Sequence, residues 1–289
     1  MFWRSPIWNL CSNQVDTGDA NLAMIINFMA VIVKSKHFKD YAELVPGRIF
    51  DTQEALDSVL QKKNLDRENI VLVENVTRCL ESVRVIHVVY AQLDAMRQQA
   101  FDPYNQSNSS MLECLWLSMK GSKRLTSSLI SSEWTQIGFQ GSDPGTDFRS
   151  MGVLALYQLL FFSQRKTDSA RLILLELSSG GYPFALVGIH MSLLVMELLS
   201  QRRLHRHLVQ HFGNLTIQTL ATLTLTTSPI LGILGCVNFC ADLVHDVYCS
   251  AFEEFYLAWV MRKPDCMSGF PELYNEVRAI FHDRFPPIA

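Results

Sequence analysis

Apolar residues recur three or four positions apart through most of this chain, and this spacing restricts the fold more than any other feature of the sequence. One such run covers residues 22–33 and a longer one covers residues 69–99. The spacing places apolar side chains along one face of a helix, whereas a half-buried strand would alternate apolar and polar residues. Strict alternation is rare here. The sequence therefore predicts an all-α fold.

Turn-forming and capping residues separate the predicted helices. Asp51 and Glu54 are spaced like a capping box, so a short helix should follow them and end near residue 62. Residues 216–227 are ambiguous, because alternating threonine and leucine there imitate a strand. Further helices are expected at 111–119, 151–162, 170–177, 183–201, 230–242, 243–262 and 270–281, with connections at 35–46 and 101–110.

The composition indicates a globular protein that does not bind nucleic acid. With 289 residues, 48% of them hydrophobic and 18% charged, the chain can bury a substantial core. No internal repeat or long linker separates domains, so a single helical domain is the simplest account. The formal net charge of -3 provides no overall field that would attract nucleic acid or an anionic membrane.

The cysteines and the apolar segments favour a reducing compartment and no spanning helix. The seven cysteines are an odd number without CxxC pairs, which suits buried thiols. The first residues lack the pattern of a secretory signal. Residues 22–33 are too few to span a membrane, and residues 214–241, although uncharged, contain six threonines and a Ser-Pro pair that weaken a spanning helix.

A loop rich in glycine, serine, aspartate and proline presents an isolated arginine. Arg149 is the only lysine or arginine between Trp134 and Gln164, and it lies where an apolar helical pattern begins. A guanidinium group stays charged and offers five donors in a planar fork, which suits a transferring phosphoryl group. In the alternative, Arg149 pairs with Asp143 or Asp147 and only fixes the loop.

Other candidate chemistry is weaker. The sequence contains no GxSxG, Walker-type, HExxH or GxGxxG motif. His207 and His211 are one helical turn apart, as two metal ligands would be, but three neighbouring arginines oppose a cation, so no metal site is predicted. Those arginines, Arg202, Arg203 and Arg206, suit a helix C-terminus as well as they would suit a phosphate or lipid head group.

Several blocks of the sequence resemble the ELMO domain. The resemblance covers about residues 100–280 and fits the first hundred residues only loosely. It implies a multi-helix ELMO-like domain at 101–289, with an N-terminal helical region at 1–100 packed on it. The residues that carry it most clearly are Trp134, Gly138, Phe139, Gln140, Pro144, Thr146, Asp147, Phe148, Arg149 and Gly152, and parts of 101–116, 181–189 and 248–270 resemble further blocks.

The resemblance implies a function as well as a fold. Short ELMO-domain proteins of this size act as GTPase-activating proteins for Arf and Arf-like GTPases, and Arg149 matches their catalytic arginine. The chain would then activate a partner's hydrolysis without being a hydrolase itself, and it would need no cofactor, because GTP and Mg²⁺ belong to the GTPase. No small-molecule substrate and no nucleic acid are expected. The implied location is the cytoplasm, with peripheral contact with endomembranes or cytoskeletal structures.

A second function fits the same resemblance. Large ELMO proteins work with DOCK exchange factors on Rac, so the chain could instead be a non-catalytic adaptor that binds a small GTPase or a DOCK-type factor through the same surface. One departure bears on either function: the family usually has glycine directly after the arginine, and this chain has Ser150. If that position needed positive φ, serine would strain the turn by roughly 1 kcal/mol.

The resemblance also gives roles to the residues around the arginine. Gln140, Thr146 and Asp147 would orient the loop and Pro144 would stiffen it, while Gln140 could alternatively position the attacking water. The remaining matched residues would anchor the loop in the helical core. These structural anchors are Trp134, Gly138, Phe139, Phe148 and Gly152.

Overall fold

A computed structural model describes residues 18–121, 129–180, 182–225, 237–263 and 269–288. Within these ranges every regular element is helical and no strand occurs, which confirms the predicted all-α class. Two 3₁₀ helices, Ser132–Ile137 and Pro144–Arg149, lie between the α-helices Gln106–Lys120 and Gly152–Arg165. Helices α1 to α12 span Gly18–Lys34, Lys39–Ala42, Thr52–Lys63, Ile70–Gln98, Gln106–Lys120, Gly152–Arg165, Thr167–Gly180, Phe184–Ser200, His205–Phe212, Ile217–Leu225, Val237–Arg262 and Phe270–Arg284.

Local capping residues set where α3 and α5 begin. The carboxylate of Asp51 accepts a hydrogen bond from Glu54 N over 2.9 Å, as the capping pattern predicts. The side-chain oxygen of Asn105 accepts from the backbone N–H groups of Ser107 and Asn108 over 3.0 and 3.2 Å. Helix α5 therefore begins at Gln106, five residues before the predicted start, because the cap acts ahead of the apolar run.

Several other predicted boundaries differ from the observed ones. The ambiguous segment is helical over Ile217–Leu225: the hydroxyl of Thr222 donates to Gln218 O over 2.8 Å, so threonine satisfies its polar group within a helix. Helix α11 continues without a break at residues 242–243, while the predicted stretch 230–236 lies outside the described residues. The connection at 35–46 contains the single-turn helix α2.

The chain divides into two compact units, each formed by more than one segment. The first unit comprises Met1–Gln92, Leu199–Leu243 and Phe285–Ala289, and the second comprises Leu93–Leu198 and Val244–Arg284. In the first unit, α1 packs against α2 and α9, and Phe28 and Phe38 are fully buried. The predicted division of the chain near residue 100 remains a prediction.

Helix α6 lies in the core of the second unit. It packs against α5, α7 and the second 3₁₀ helix. Its Phe162 ring stacks on Phe252 of α11 with 4.3 Å between centroids. Gly188 lets α8 approach closely, since an added Cβ there would lie 2.3 Å from Leu159 Cδ2. These contacts fix the helix that directly follows the loop carrying the isolated arginine.

No single helix in the described ranges has both the length and the hydropathy needed to cross a membrane. By length and composition, only the consecutive helices α8 and α9 meet that requirement when taken together.

Candidate functional site

Two 3₁₀ helices form the loop that carries the predicted site. The first begins at Ser131, whose hydroxyl accepts a hydrogen bond from Glu133 N over 3.2 Å. It ends at Gly138, which has a left-handed backbone with a φ of 82°. An added Cβ at Gly138 would lie 2.4 Å from Phe184 N. Only glycine therefore fits at this turn without displacing the start of α8.

The second 3₁₀ helix is fixed by its own polar residues. The carboxylate of Asp143 accepts from Gly145 N over 3.0 Å, and the hydroxyl of Thr146 donates to the Asp143 carbonyl over 2.8 Å. Pro144 occupies the first position of this helix and is buried. Proline is favoured at that position because its φ is already helical and its missing N–H would be unpaired there in any case.

Two hydrogen bonds close the segment between the 3₁₀ helices. Asp147 Oδ2 accepts from the backbone N–H of Gln140 over 2.9 Å, and the backbone N–H of Ser131 donates to the Ser142 carbonyl over 2.8 Å. Gln140 and Thr146 are themselves exposed. The side-chain amide of Gln140 makes no hydrogen bond within the described part of the chain. It thus differs from Asp147, which is engaged with the loop backbone.

Five aromatic rings contact one another in a row on the inner side of the loop, and we call them the aromatic row. Trp116 meets Trp134 at 5.3 Å between centroids, Trp134 meets Phe139 at 5.6 Å, Phe139 meets Phe148 at 5.7 Å and Phe148 meets Phe101 at 5.6 Å. The first four rings are buried. Such pairs contribute about 0.5–1.5 kcal/mol each beyond the burial of their area. The loop is therefore part of the core on its inner side.

Arg149 is the last residue of the second 3₁₀ helix and is exposed. Among the residues that the structure describes, its guanidinium group has neither an ion pair nor a hydrogen bond. The carboxylates of Asp143 and Asp147 accept backbone N–H groups, and neither forms an ion pair with the arginine. Hydrogen bonds and ring contacts hold the loop, while the guanidinium group of Arg149 presents its five donors to solvent.

Ser150 does not strain the turn. Its φ of -86° and ψ of -31° are right-handed helical values that any residue adopts, and its N–H bonds the Phe148 carbonyl. The left-handed backbone occurs two residues later, at Gly152, with a φ of 52°. An added Cβ at Gly152 would lie 2.4 Å from both Arg97 O and Gln99 O. Residue 150 therefore does not need positive φ. The position that does need it, 152, is occupied by glycine.

The C-terminal end of α4 packs against the start of α6, directly after the loop. This contact was not predicted from the sequence. The buried carboxylate of Asp94 accepts from Arg97 Nε over 2.8 Å and also binds the Gln98 amide. The Gln99 carbonyl accepts from Val153 N over 2.9 Å, at the start of α6. The sequence signal was present, because Asp94 interrupts the apolar positions of α4 and precedes Arg97 by three residues.

The alternative sites have structural explanations in the described residues. The rings of His207 and His211 lie 4.8 Å apart, and His211 Nδ1 is 2.8 Å from the His207 carbonyl. No group of three histidine, cysteine, aspartate or glutamate residues in the described ranges could hold a metal. Arg203 donates to the Phe285 carbonyl over 3.1 Å. Burial lowers the pKa of His205 to about 3, which keeps this side chain neutral.

Named proteins from animals and an amoeba are similar to the chain. ELMO domain-containing protein 2 of Mus musculus is 30% identical over 230 residues, which are 78% of this chain and 69% of that protein. ELMO domain-containing protein 1 of Homo sapiens is 28% identical over 280 residues, with 87% and 74% covered. ELMO domain-containing protein B of Dictyostelium discoideum is 30% identical over 172 residues, with 58% and 60% covered.

No solved structure matches the chain. The sequence profile of the ELMO/CED-12 family matches residues 91–273. The match includes both 3₁₀ helices, the aromatic row and Arg149. Because it extends over more than half of the sequence, this chain belongs to the ELMO/CED-12 family.

Proposed function

We propose that this chain is a GTPase-activating protein for a small GTPase of the Arf or Arf-like class, and that Arg149 acts in trans as its arginine finger. The observation that carries the proposal is an exposed arginine that has no acidic partner among the described residues and is held on a loop whose inner face is packed into the core. Family membership supports the proposal, because the matched region, residues 91–273, includes the loop and Arg149.

To accelerate GTP hydrolysis in a partner, the chain needs to contribute only one correctly positioned cation, the guanidinium group of Arg149. In phosphoryl transfer, charge spreads over the oxygens of the transferring group, and a guanidinium group inserted beside them stabilises the transition state. Known arginine fingers accelerate hydrolysis by about 10³ to 10⁵. The partner would contribute the nucleotide, Mg²⁺ and attacking water, so the proposal requires no cofactor or small-molecule site in this chain.

The residues around Arg149 have supporting roles in this proposal. Asp147 holds the backbone of Gln140 and thereby sets the shape of the loop around the arginine. The Gln140 side chain remains exposed, so its amide can contact the partner or the attacking water. Thr146 and Pro144 keep the 3₁₀ helix that ends in Arg149.

The test is single-turnover GTP hydrolysis by a panel of Arf and Arf-like GTPases with this chain in excess. The parent should accelerate at least one member, and Arg149→Lys should lose at least about 100-fold of that acceleration, because lysine lacks the planar fork. Arg171→Lys is the matched control, since Arg171 is also exposed but lies near Asp168 on α7. An Arg149→Lys variant as active as the parent would contradict the finger role.

The adaptor alternative uses the same surface without catalysis. Exposed arginines are common anchors of protein interfaces, so the geometry of Arg149 suits binding as well. In that case the parent binds a small GTPase or a DOCK-type exchange factor but accelerates no hydrolysis, and Arg149→Ala weakens binding alone. We also propose a cytoplasmic location with peripheral contact with endomembranes or cytoskeletal structures, which fractionation with carbonate extraction would test.

A further inference from the structure

Tyr104 is the most exposed of the large apolar side chains that the structure describes. Its exposed fraction is 96%, compared with 84% for Met261 and 71% for Ile70. A single exposed apolar residue needs no special explanation. Tyr104 differs in two respects. It follows Phe101, whose ring packs against the arginine loop, and hydrogen bonds to Asp102 hold its backbone.

The backbone around Tyr104 forms a tight turn. The N–H of Tyr104 donates to Asp102 Oδ1 over 2.9 Å, and the N–H of Asn105 donates to the Asp102 carbonyl over 3.1 Å. Asn105 in turn caps helix α5 through its side chain. The aromatic ring therefore projects into solvent from a fixed base, with two side-chain torsions left to adjust.

The turn is connected to the arginine loop through Phe101. The Phe101 ring packs against Phe148, the residue before Arg149, at 5.6 Å between centroids. The same ring comes within 3.0 Å of where a Cβ on Gly145 would lie. Chain length and ring contact together keep the Cα atoms of Tyr104 and Arg149 within roughly 30 Å, about the width of a standard interface patch of ~800 Å².

We propose that Tyr104 is a docking residue for the same protein partner on which Arg149 acts, and that it determines affinity and not the rate of hydrolysis. This inference rests on the proposed function. Tyrosine and arginine are the residue types most enriched among the dominant contacts of protein interfaces. The partner surface that fits is an apolar pocket with a polar group at its rim, because the tyrosine ring is apolar and its hydroxyl is not.

A membrane is a poorer occupant for this face. Asp102 is exposed beside Tyr104, and the aspartates 143 and 147 lie on the neighbouring loop with Arg149, so three carboxylates against one cation disfavour anionic head groups. Residues 101–110 contain no lysine or arginine to offset them. A folded protein partner therefore suits the surface better than lipid.

The experiment measures both affinity and rate for the full chain. Binding is followed with a responsive GTPase loaded with a non-hydrolysable GTP analogue, and kcat and KM are measured separately by hydrolysis. Tyr104→Ala should raise Kd and KM at least about fivefold and leave kcat at saturation unchanged. Tyr104→Phe should retain most of the affinity because the ring remains. Met261→Ala, which truncates a comparably exposed apolar side chain, should change neither constant.

Each outcome separates the inference from the proposed function. If Tyr104→Ala binds as tightly as the parent, or if Met261→Ala loses as much affinity, the inference is overturned while the arginine finger stands. If Tyr104→Ala loses binding to vesicles of phosphatidylcholine and phosphatidylserine while its GTPase affinity is unchanged, the inference is overturned in favour of a membrane contact. If the parent itself binds no GTPase of the panel, the proposed function fails and the inference fails with it. Circular dichroism confirms that each variant is folded.

Discussion

The carboxylate of Asp147 accepts a hydrogen bond from the backbone N–H of Gln140 over 2.9 Å. This hydrogen bond links the second 3₁₀ helix to Gln140, which lies three residues after the end of the first 3₁₀ helix. Asp147 bonds to the backbone of its own loop and forms no ion pair with Arg149, which lies two residues further on. The hydrogen bond shapes the loop, and the described residues include no ion-pair partner for its cation.

Replacement of Asp147 separates the hydrogen bond from the charge. Asp147→Ala removes the acceptor and should lower the free energy of unfolding by about 1 kcal/mol, together with the acceleration of GTP hydrolysis. Asp147→Asn keeps an acceptor oxygen and should be milder in both respects. Urea unfolding and single-turnover hydrolysis are the measurements. If the asparagine variant is as impaired as the alanine variant, the negative charge matters more than the hydrogen bond.

Gly152 and Gly141 form a matched pair of glycines at the arginine loop. Gly152→Ala should lower the free energy of unfolding by about 2–5 kcal/mol, since a Cβ would meet two backbone carbonyls at 2.4 Å on a left-handed backbone. Gly141 has nothing within 4 Å of the equivalent position. Gly141→Ala should therefore change stability by less than about 0.5 kcal/mol in urea unfolding. Equal losses at both positions would contradict the observed packing.

Ser150→Gly restores the residue that the family usually has after the arginine. Since Ser150 has a right-handed backbone, glycine relieves no strain there. We expect no gain in GTP hydrolysis and a loss of roughly 0.5–1 kcal/mol in stability, because glycine has more conformational freedom to lose on folding. A clear increase in the rate of hydrolysis would show that serine does hinder the arginine, through a cause other than backbone strain.

His245 makes the second unit sensitive to acid. Its ring lies 5.0 Å from Tyr157 and 3.1 Å from the Gln158 amide, and burial lowers its pKa from 6.5 to about 3. The unfolded chain therefore binds more protons between these pH values, and the stability contributed by neutral His245 is lost as pH falls through this window. The loss reaches about 1.4 kcal/mol per pH unit.

His245→Gln removes this titration. The free energy of unfolding, measured with urea between about pH 6 and pH 4, should then fall less steeply with decreasing pH than in the parent. His205, whose pKa burial also lowers to about 3, keeps its own contribution in the variant. The same slope in parent and variant would mean that His245 is already solvated in the folded chain.

The sequence predicts the helical class well because the apolar spacing repeats in nearly every segment. Its errors occur where a local polar contact competes with that spacing. Asn105 caps α5 ahead of the apolar run, so the helix begins earlier than predicted. The hydroxyl of Thr222 is hydrogen-bonded within a helix, although the alternating threonine and leucine residues resemble a strand. The two compact units could not be predicted in this way, because each combines segments from distant parts of the sequence.

For the candidate site, the sequence identifies the residues but not their contacts. The aromatic and glycine positions singled out by the resemblance lie at one loop, with Trp134 and Phe148 buried and Gly138 and Gly152 left-handed. Whether Arg149 paired with Asp143 or Asp147 could not be decided from spacing. That depends on where the guanidinium group lies relative to the two carboxylates, and the backbone path of the two 3₁₀ helices determines this.

Loops rich in glycine, serine, aspartate and proline usually exchange their backbone amide hydrogens quickly, because little apolar surface fixes them. Here Trp134, Phe139 and Phe148 belong both to the loop and to the buried core of the second unit. Opening the loop would expose three large rings to water, so local opening costs nearly as much as unfolding the unit. We therefore expect the amide hydrogen of Gln140 to exchange at the rate of the core helices, as part of one cooperative foldon.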